Sequence, residues 1–154
     1  MSSLQVDSIA AIGGGHVDGT GLVVQYKQAV NTTATTVSST TLATIATIQF
    51  TPKFSDSLIL VQAFHSNDAC TSTNNNNCSS YLSVGTTEVG RTEGVGYLIT
   101  KASDGRFQYA FSGSIASWGT TSLEVKLAVE AQSGNWIVSK GGRKTSLLVW
   151  EIAQ

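Results

Sequence analysis

The sequence predicts an all-β chain, an antiparallel β-sandwich or jelly roll of eight or nine strands preceded by a short extended N-terminal arm. Three observations predict it. Val, Ile, Thr, Tyr, Phe and Trp recur in runs of five to nine residues, and these are the residue types that fit a pleated, half-buried surface. Clusters of Gly, Ser, Asn and Asp separate the runs at short intervals, which is the punctuation of turns and hairpins. Nothing in the 154 residues reads as a long helix, and a chain of this length supports one domain with a real core.

Residues 1–21 stand apart. Leu4, Val6 and Ile9 form a short apolar set, and Gly13-Gly14-Gly15-His16-Val17-Asp18-Gly19-Thr20-Gly21 follows as a glycine-rich hinge. This reads as a docking arm, with a frayed terminus as the alternative, and leaves 22–154 as the jelly-roll domain. The first strand is expected at Leu22 to Gln28. The polar stretch Asn31 to Thr41 is too hydrophilic for core and reads as a surface loop or a solvated edge strand. Leu42 to Phe50 follows, closed by Pro52, the only proline, which cannot donate to a ladder and marks a corner.

Leu58 to Phe64, Tyr81 to Val84, Asn135 to Ser139 and Thr145 to Ile152 complete the plainer strands. Phe107 to Phe111 alternates, and the preceding Asp104-Gly105 suits a tight turn that would pair it with Tyr97 to Lys101. The clearest alternation is Leu123 to Glu130, with Leu123, Val125, Leu127 and Val129 on one face and charged residues on the other. Two strands do not alternate: Leu58 to Phe64 and Leu147 to Ile152 are apolar on both faces. One face can meet the core. The other must be covered by a second copy or by loops, because a monomer rarely leaves a large apolar patch open.

Serine and threonine, 20 and 19 residues, far outnumber any single charged type, and only 12% of the chain is charged, with a formal net charge of −1. There is no basic excess to neutralise phosphates, which argues against nucleic acid or anionic membrane as a partner. No apolar run approaches the roughly 18 residues of a membrane span, and Met1 to Asp7 lacks a secretory leader pattern. Synthesis in a cytosol without Sec-type export is the expectation.

Candidate chemistry is sparse. His16 beside Asp18, and His65 before Ser66-Asn67-Asp68, are each half a metal site at most. The strained Gly-x-Ser-x-Gly turn of a serine hydrolase is absent, and Gly13-Gly14-Gly15 lacks the lysine of a phosphate loop. The expectation is a non-enzyme with no cofactor. Cys70 and Cys78 flank Asn74-Asn75-Asn76-Asn77 at a spacing compatible with a loop disulfide or with two thiols. The loop from Ser66 to Ser80 offers neutral donors and acceptors, which suits a carbohydrate-contacting tip or one that simply faces solvent; Asn74, Asn75, Asn76 and Asn77 are the candidate contacts in the first case, with Trp118 as a stacking ring or as core packing.

Three stretches carry a resemblance: Ser3-Leu4-Gln5-Val6-Asp7-Ser8-Ile9; Thr51-Pro52-Lys53-Phe54-Ser55-Asp56-Ser57-Leu58-Ile59-Leu60-Val61; and Gly142-Arg143-Lys144-Thr145-Ser146-Leu147-Leu148-Val149-Trp150-Glu151-Ile152. The chain resembles small virion proteins of tailed bacteriophages, in particular cyanophage capsid decoration (cement) or fibre proteins. The resemblance implies a homotrimer of jelly rolls similar to tumour-necrosis-factor and C1q heads, with first and last strands near the threefold axis. It implies a trimer interface at Leu148, Trp150, Ile152, Ile59 and Val61, and a virion-docking arm at Leu4, Val6 and Ile9. The partner would be the phage major capsid protein or a tail component. A tail-fibre or receptor-binding tip that recognises host glycans is the alternative, and the long shaft usual in such fibres is missing.

Overall fold

A computed structural model describes residues 21–69, 77–95, 105–116 and 118–154. The arm residues Leu4, Val6 and Ile9, the loop residues Cys70, Asn74, Asn75 and Asn76, and the proposed hairpin partner Tyr97 to Lys101 lie outside the described residues.

The alternating runs form ten strands, all paired antiparallel: β1 (Val23–Asn31), β2 (Thr35–Val37), β3 (Ala43–Phe50), β4 (Leu58–Ala69), β5 (Asn77–Val84), β6 (Thr87–Val95), β7 (Gly105–Ala116), β8 (Leu123–Ser133), β9 (Trp136–Val138) and β10 (Thr145–Ile152). One sheet runs β1-β10-β4-β7, with β9 beside the far end of β4 and β2 beside β9. The second runs β3-β8-β5-β6. Along the chain β1 and β2 lie in the first sheet, β3 in the second, β4 in the first, β5 and β6 in the second, β7 in the first, β8 in the second, and β9 and β10 in the first, so the path crosses repeatedly between the sheets as in a jelly roll.

The inward residues of both sheets close one core around Phe50, Ile59, Leu82, Leu127, Trp136 and Leu147. The sheets touch edge to edge where Gly113 of β7 meets β6: a Cβ at this position would lie 1.8 Å from the Val89 carbonyl oxygen. Only a residue without a side chain permits that approach. At the opposite edge Lys27 Nζ donates to the Gln49 carbonyl (2.9 Å) and Gln25 Nε2 to the Thr51 carbonyl (2.7 Å), tying β1 to the end of β3.

Three expectations change. The loop expected from Ser66 to Ser80 is shorter, since β4 continues to Ala69 and β5 begins at Asn77; the polar residues there are carried by backbone ladders that do not require apolar side chains. β6 was not expected from its Thr-Glu-Val-Gly-Arg-Thr-Glu sequence, because an edge strand pairs on one side only and packs a single side chain of its charged half, Val89, against the core. The described ladder of β7 is with β4 over the full length from Ala116↔Leu58 to Gly105↔Ala69, a partner no local turn signal reveals.

Candidate functional site: the outer face of the β1-β10-β4-β7 sheet

In β10 the inward residues are Thr145, Leu147, Val149 and Glu151, and the outward ones Ser146, Leu148, Trp150 and Ile152. Register then places the outward residues of neighbouring strands in rows across the sheet. Ile152 lies beside Leu58 and Ala116; Trp150 lies between Tyr26 and Leu60, with Ser114 beyond; Leu148 lies between Gln28 and Gln62, with Ser112 beyond; Ser146 lies between Val30 and Phe64, with Ala110 beyond. None of these side chains is charged. Tyr26 and Trp150 pack with ring centroids 5.6 Å apart. Tyr26, Val30 and Phe64 are 47%, 49% and 43% exposed, so aromatic and aliphatic surface on this face meets water.

The candidate interface residues therefore divide. Leu148, Trp150 and Ile152 lie on the outer face. Ile59 and Val61 do not: both are 0% exposed and belong to the core. The correction follows from period two, since pairing Trp150 with Leu60 and Ile152 with Leu58 puts the even-numbered residues of β4 outward. Leu58, Leu60, Tyr26 and Phe64 are the face residues that the sequence reading missed; the two-sided apolar character of Leu58 to Phe64 was the signal, but the register that resolves it is not local.

The corner between β3 and β4 is held by one buried carboxylate. Glu151, 0% exposed, points inward from β10 and accepts from Lys53 N (2.8 Å), Phe54 N (2.9 Å), Ser57 Oγ (2.8 Å) and Gln25 Nε2 (2.6 Å). Burial pushes its carboxyl up, but the two backbone N–H groups, the hydroxyl and the amide together outweigh that and leave it below its ordinary value. Two of the stretches that carry the sequence resemblance are thus joined by hydrogen bonds between residues nearly a hundred positions apart.

The remaining candidates fall elsewhere. Asn77 is half-buried in β5 and donates through Nδ2 to Gln132 Oε1 (2.7 Å). Trp118 is half-buried and packs partly against the core, its Cζ2 3.2 Å from where a Gly85 Cβ would stand. Cys78 is buried in the core. His65 is buried too, with ring contacts to Tyr109 at 5.3 Å and Phe111 at 5.8 Å. Burial, with Cys78 nearby, pushes the Tyr109 phenol well above its ordinary value. Among the described residues no group of three His, Cys, Asp or Glu converges.

The outer face of the second sheet is different in kind. Glu124, Lys126 and Glu130 of β8 project there beside Thr47 and Gln49 of β3, Tyr81 and Ser83 of β5, and Glu88 and Arg91 of β6. Arg91 stacks over the Tyr81 ring at 4.8 Å, and the Tyr81 hydroxyl donates to Glu130 (2.5 Å).

No family model matches the chain, and no curated protein matches it. Solved structures do. Dimeric latent PorU from Porphyromonas gingivalis superposes with a TM-score of 0.56 at 11% identity, over 93% of this chain and 14% of that one. Two particle structures of infectious bursal disease virus superpose over 100% of this chain: the derived T=1 particles with a TM-score of 0.46 at 12% identity, and the Gt strain with 0.48 at 11%. The chain spans 41% and 42% of those viral chains. The likeness to PorU is one of fold; the viral superpositions fall below the level at which a shared fold follows.

Proposed function

We propose that the chain is a structural virion protein, a homotrimeric jelly roll that decorates and cements a tailed-phage capsid, its N-terminal arm attaching to the major capsid protein. In this reading it acts by association and not by catalysis. Interfaces that exist only in the assembled particle stabilise that particle by mass action. The observation that carries the reading is the set of uncharged rows on the outer face of the β1-β10-β4-β7 sheet, which hold Tyr26, Trp150, Leu60, Leu58 and Ile152. A contiguous apolar patch of this kind marks an association surface. The resemblance of the opening, corner and closing stretches supports the phage setting and the trimer.

Sedimentation equilibrium tests the assembly. A mass three times the 16.1 kDa of one chain is expected, with Trp150→Asp and Leu60→Asp each raising the dissociation constant at least 100-fold and Lys126→Asp on the opposite face leaving it unchanged. A monomeric wild-type chain at micromolar concentration sinks the reading. Co-sedimentation with particles stripped of the protein tests the arm, whose removal at residue 20 is expected to abolish rebinding while the trimer persists.

A further inference from the structure

We infer that the outer face of the β3-β8-β5-β6 sheet binds a neutral sugar unit, a hexopyranoside of the kind that builds surface polysaccharides, in a hollow above Ala128. The hollow follows from a mismatch in side-chain size. In β8 Leu127 and Val129 are buried in the core, so period two turns Ala128 outward. Register sets it between Thr44 of β3 and Tyr81 of β5, and the next outward row holds Lys126, Ser83 and Glu88. Ala128 is nevertheless only 8% exposed, because the larger side chains around it rise above its methyl group. The space they enclose measures about 350 Å³, with Leu42 and the Gly85-Thr86 turn completing its lining. That volume is at the small end of the roughly 300–1,000 Å³ of small-molecule sites.

The walls are fixed before any ligand arrives. The Tyr81 hydroxyl donates to Glu130, and Arg91 stacks over the ring at 4.8 Å. Lys126 Nζ meets Glu124 Oε2 at 2.9 Å. Gly85 takes a left-handed φ of 59°, and its N–H donates to the Glu124 carbonyl (2.8 Å). A Cβ there would stand 3.2 Å from Trp118 Cζ2, so the turn is seated on β8 and on the Trp118 ring together. Groups held in this way lose little freedom on binding, which leaves more of their contact energy as affinity.

The lining selects a neutral polyol over other small ligands. It holds one carboxylate, Glu88, and one ammonium, Lys126, whose charge Glu124 already meets. An anion would face Glu88 and a cation Lys126, so neither sign is favoured. An apolar ligand would cover both groups and the hydroxyls of Thr44, Ser83 and Thr86 without hydrogen-bonding any of them, which is unfavourable. A pyranoside answers both parts of this surface. Its hydroxyls donate to Glu88 and exchange hydrogen bonds with the Ser and Thr hydroxyls, which both donate and accept. Its C–H face lies on the Ala128 methyl, the Tyr81 ring and Leu42, whose side chain is 52% exposed and leaves apolar surface for it. The hollow is on the opposite sheet from the rows assigned to self-association.

Titration of the full ¹⁵N-labelled chain with the methyl glycosides of glucose, galactose and mannose, followed by amide shifts, tests the site. Saturable shifts at Thr44, Ser83, Gly85, Thr86 and Ala128 are expected with at least one of the three, and at least fivefold weaker binding of the uronate that shares its ring. Glu88→Ala, at an exposed position of the edge strand β6, should weaken that glycoside at least threefold. Ala128→Leu should fill the hollow and abolish the shifts while the rest of the amide spectrum is retained, and Gln108→Ala on the other sheet should have no effect. No saturable shift with any of the three glycosides, a uronate that binds as well as its glycoside, or indifference to Glu88→Ala each overturns the assignment. The outcome is independent of the sedimentation result, since a monomer would retain the hollow.

Discussion

The two outer faces of this sandwich are made by the same strand geometry and are chemically opposite. In the described rows across β1, β10, β4 and β7 the outward side chains are Tyr, Trp, Leu, Ile, Val, Phe, Ala, Ser and Gln. Across β3, β8, β5 and β6 they include Glu124, Lys126, Glu130, Glu88 and Arg91. On the charged face the polar groups satisfy one another in a lattice of cross-strand contacts: Lys126 Nζ to Glu124 Oε2 at 2.9 Å, Tyr81 to Glu130, Arg91 over Tyr81, and Gln132 Nε2 to Ser79 Oγ at 3.0 Å. Such a face is complete in water. The uncharged rows carry the Tyr26–Trp150 ring contact and a Tyr26–Gln28 hydrogen bond of 3.0 Å, and they leave aromatic surface unburied. One face ends the molecule and the other invites a neighbour.

The contrast survives only while the sheets stay joined at their closed edge, and the largest expected effect breaks that joint. In Gly113→Ala the new methyl would meet the Val89 oxygen at 1.8 Å, its carbonyl carbon at 2.4 Å and Gly90 N at 2.9 Å. All three are backbone, so β7 or β6 must move and the core beneath Val89 opens. A loss of about 3 kcal/mol, the upper range for overpacking, is expected as a lowered urea midpoint. Ser112→Ala, one residue away on the outer face, should shift stability by no more than about 0.5 kcal/mol. Equal effects of the two substitutions would show that the sheets do not meet here.

A smaller effect separates what holds the uncharged sheet from what it displays. Glu151→Gln keeps the shape but sets an NH₂ group among four donors, and about 2–4 kcal/mol is expected at neutral pH. The pH dependence has a definite sign. Because the folded carboxyl lies below its ordinary value, the unfolded chain binds more protons, so stability is fully present above roughly pH 4.3 and is lost as pH falls through the folded value. The gap between wild type and Glu151→Gln should therefore narrow on acidification. A gap that is constant from pH 7 to 3 would assign the loss to packing alone.

Which parts of this were legible in the sequence depends on the range of the determining interaction. Alternation in Leu123 to Glu130 is local, and β8 lies as expected with Leu123, Val125, Leu127 and Val129 inside. The closing strand Thr145–Ile152 is found at the expected residues, and its outward set is the expected Leu148, Trp150 and Ile152. For Leu58 to Phe64 both parities are apolar, so composition could not choose; the ladder with β10 chooses Leu58 and Leu60 for the outside and Ile59 and Val61 for the core. Glu151 reads only as a polar residue within a strand that is apolar on both faces, and its role appears with the Lys53–Phe54 backbone beside it. The loop at Ser139 to Lys144 was not singled out, because an insertion of this kind is defined by the count on the facing strand.

The smallest expected effect probes the charged face, where the comparison says little should happen. Lys126 and Glu124 are partly exposed and pair at i, i+2 on one strand face, a setting in which ion pairs contribute about 0–1 kcal/mol and are screened by salt. Lys126→Ala removes the pair but leaves Glu130 with Tyr81 and Arg91 with the Tyr81 ring. The expected loss is at most about 0.5 kcal/mol in low salt and nothing measurable in 1 M NaCl, read from urea midpoints at the two ionic strengths. On the opposite face 1 M NaCl should act the other way, strengthening association, since burial of uncharged apolar surface gains nothing from charge pairing and is favoured when salt raises the cost of exposing it. If association through the Trp150 face weakened in salt, charges outside the described rows would have to carry it, and the division of the sandwich into one self-sufficient face and one unfinished face would not stand.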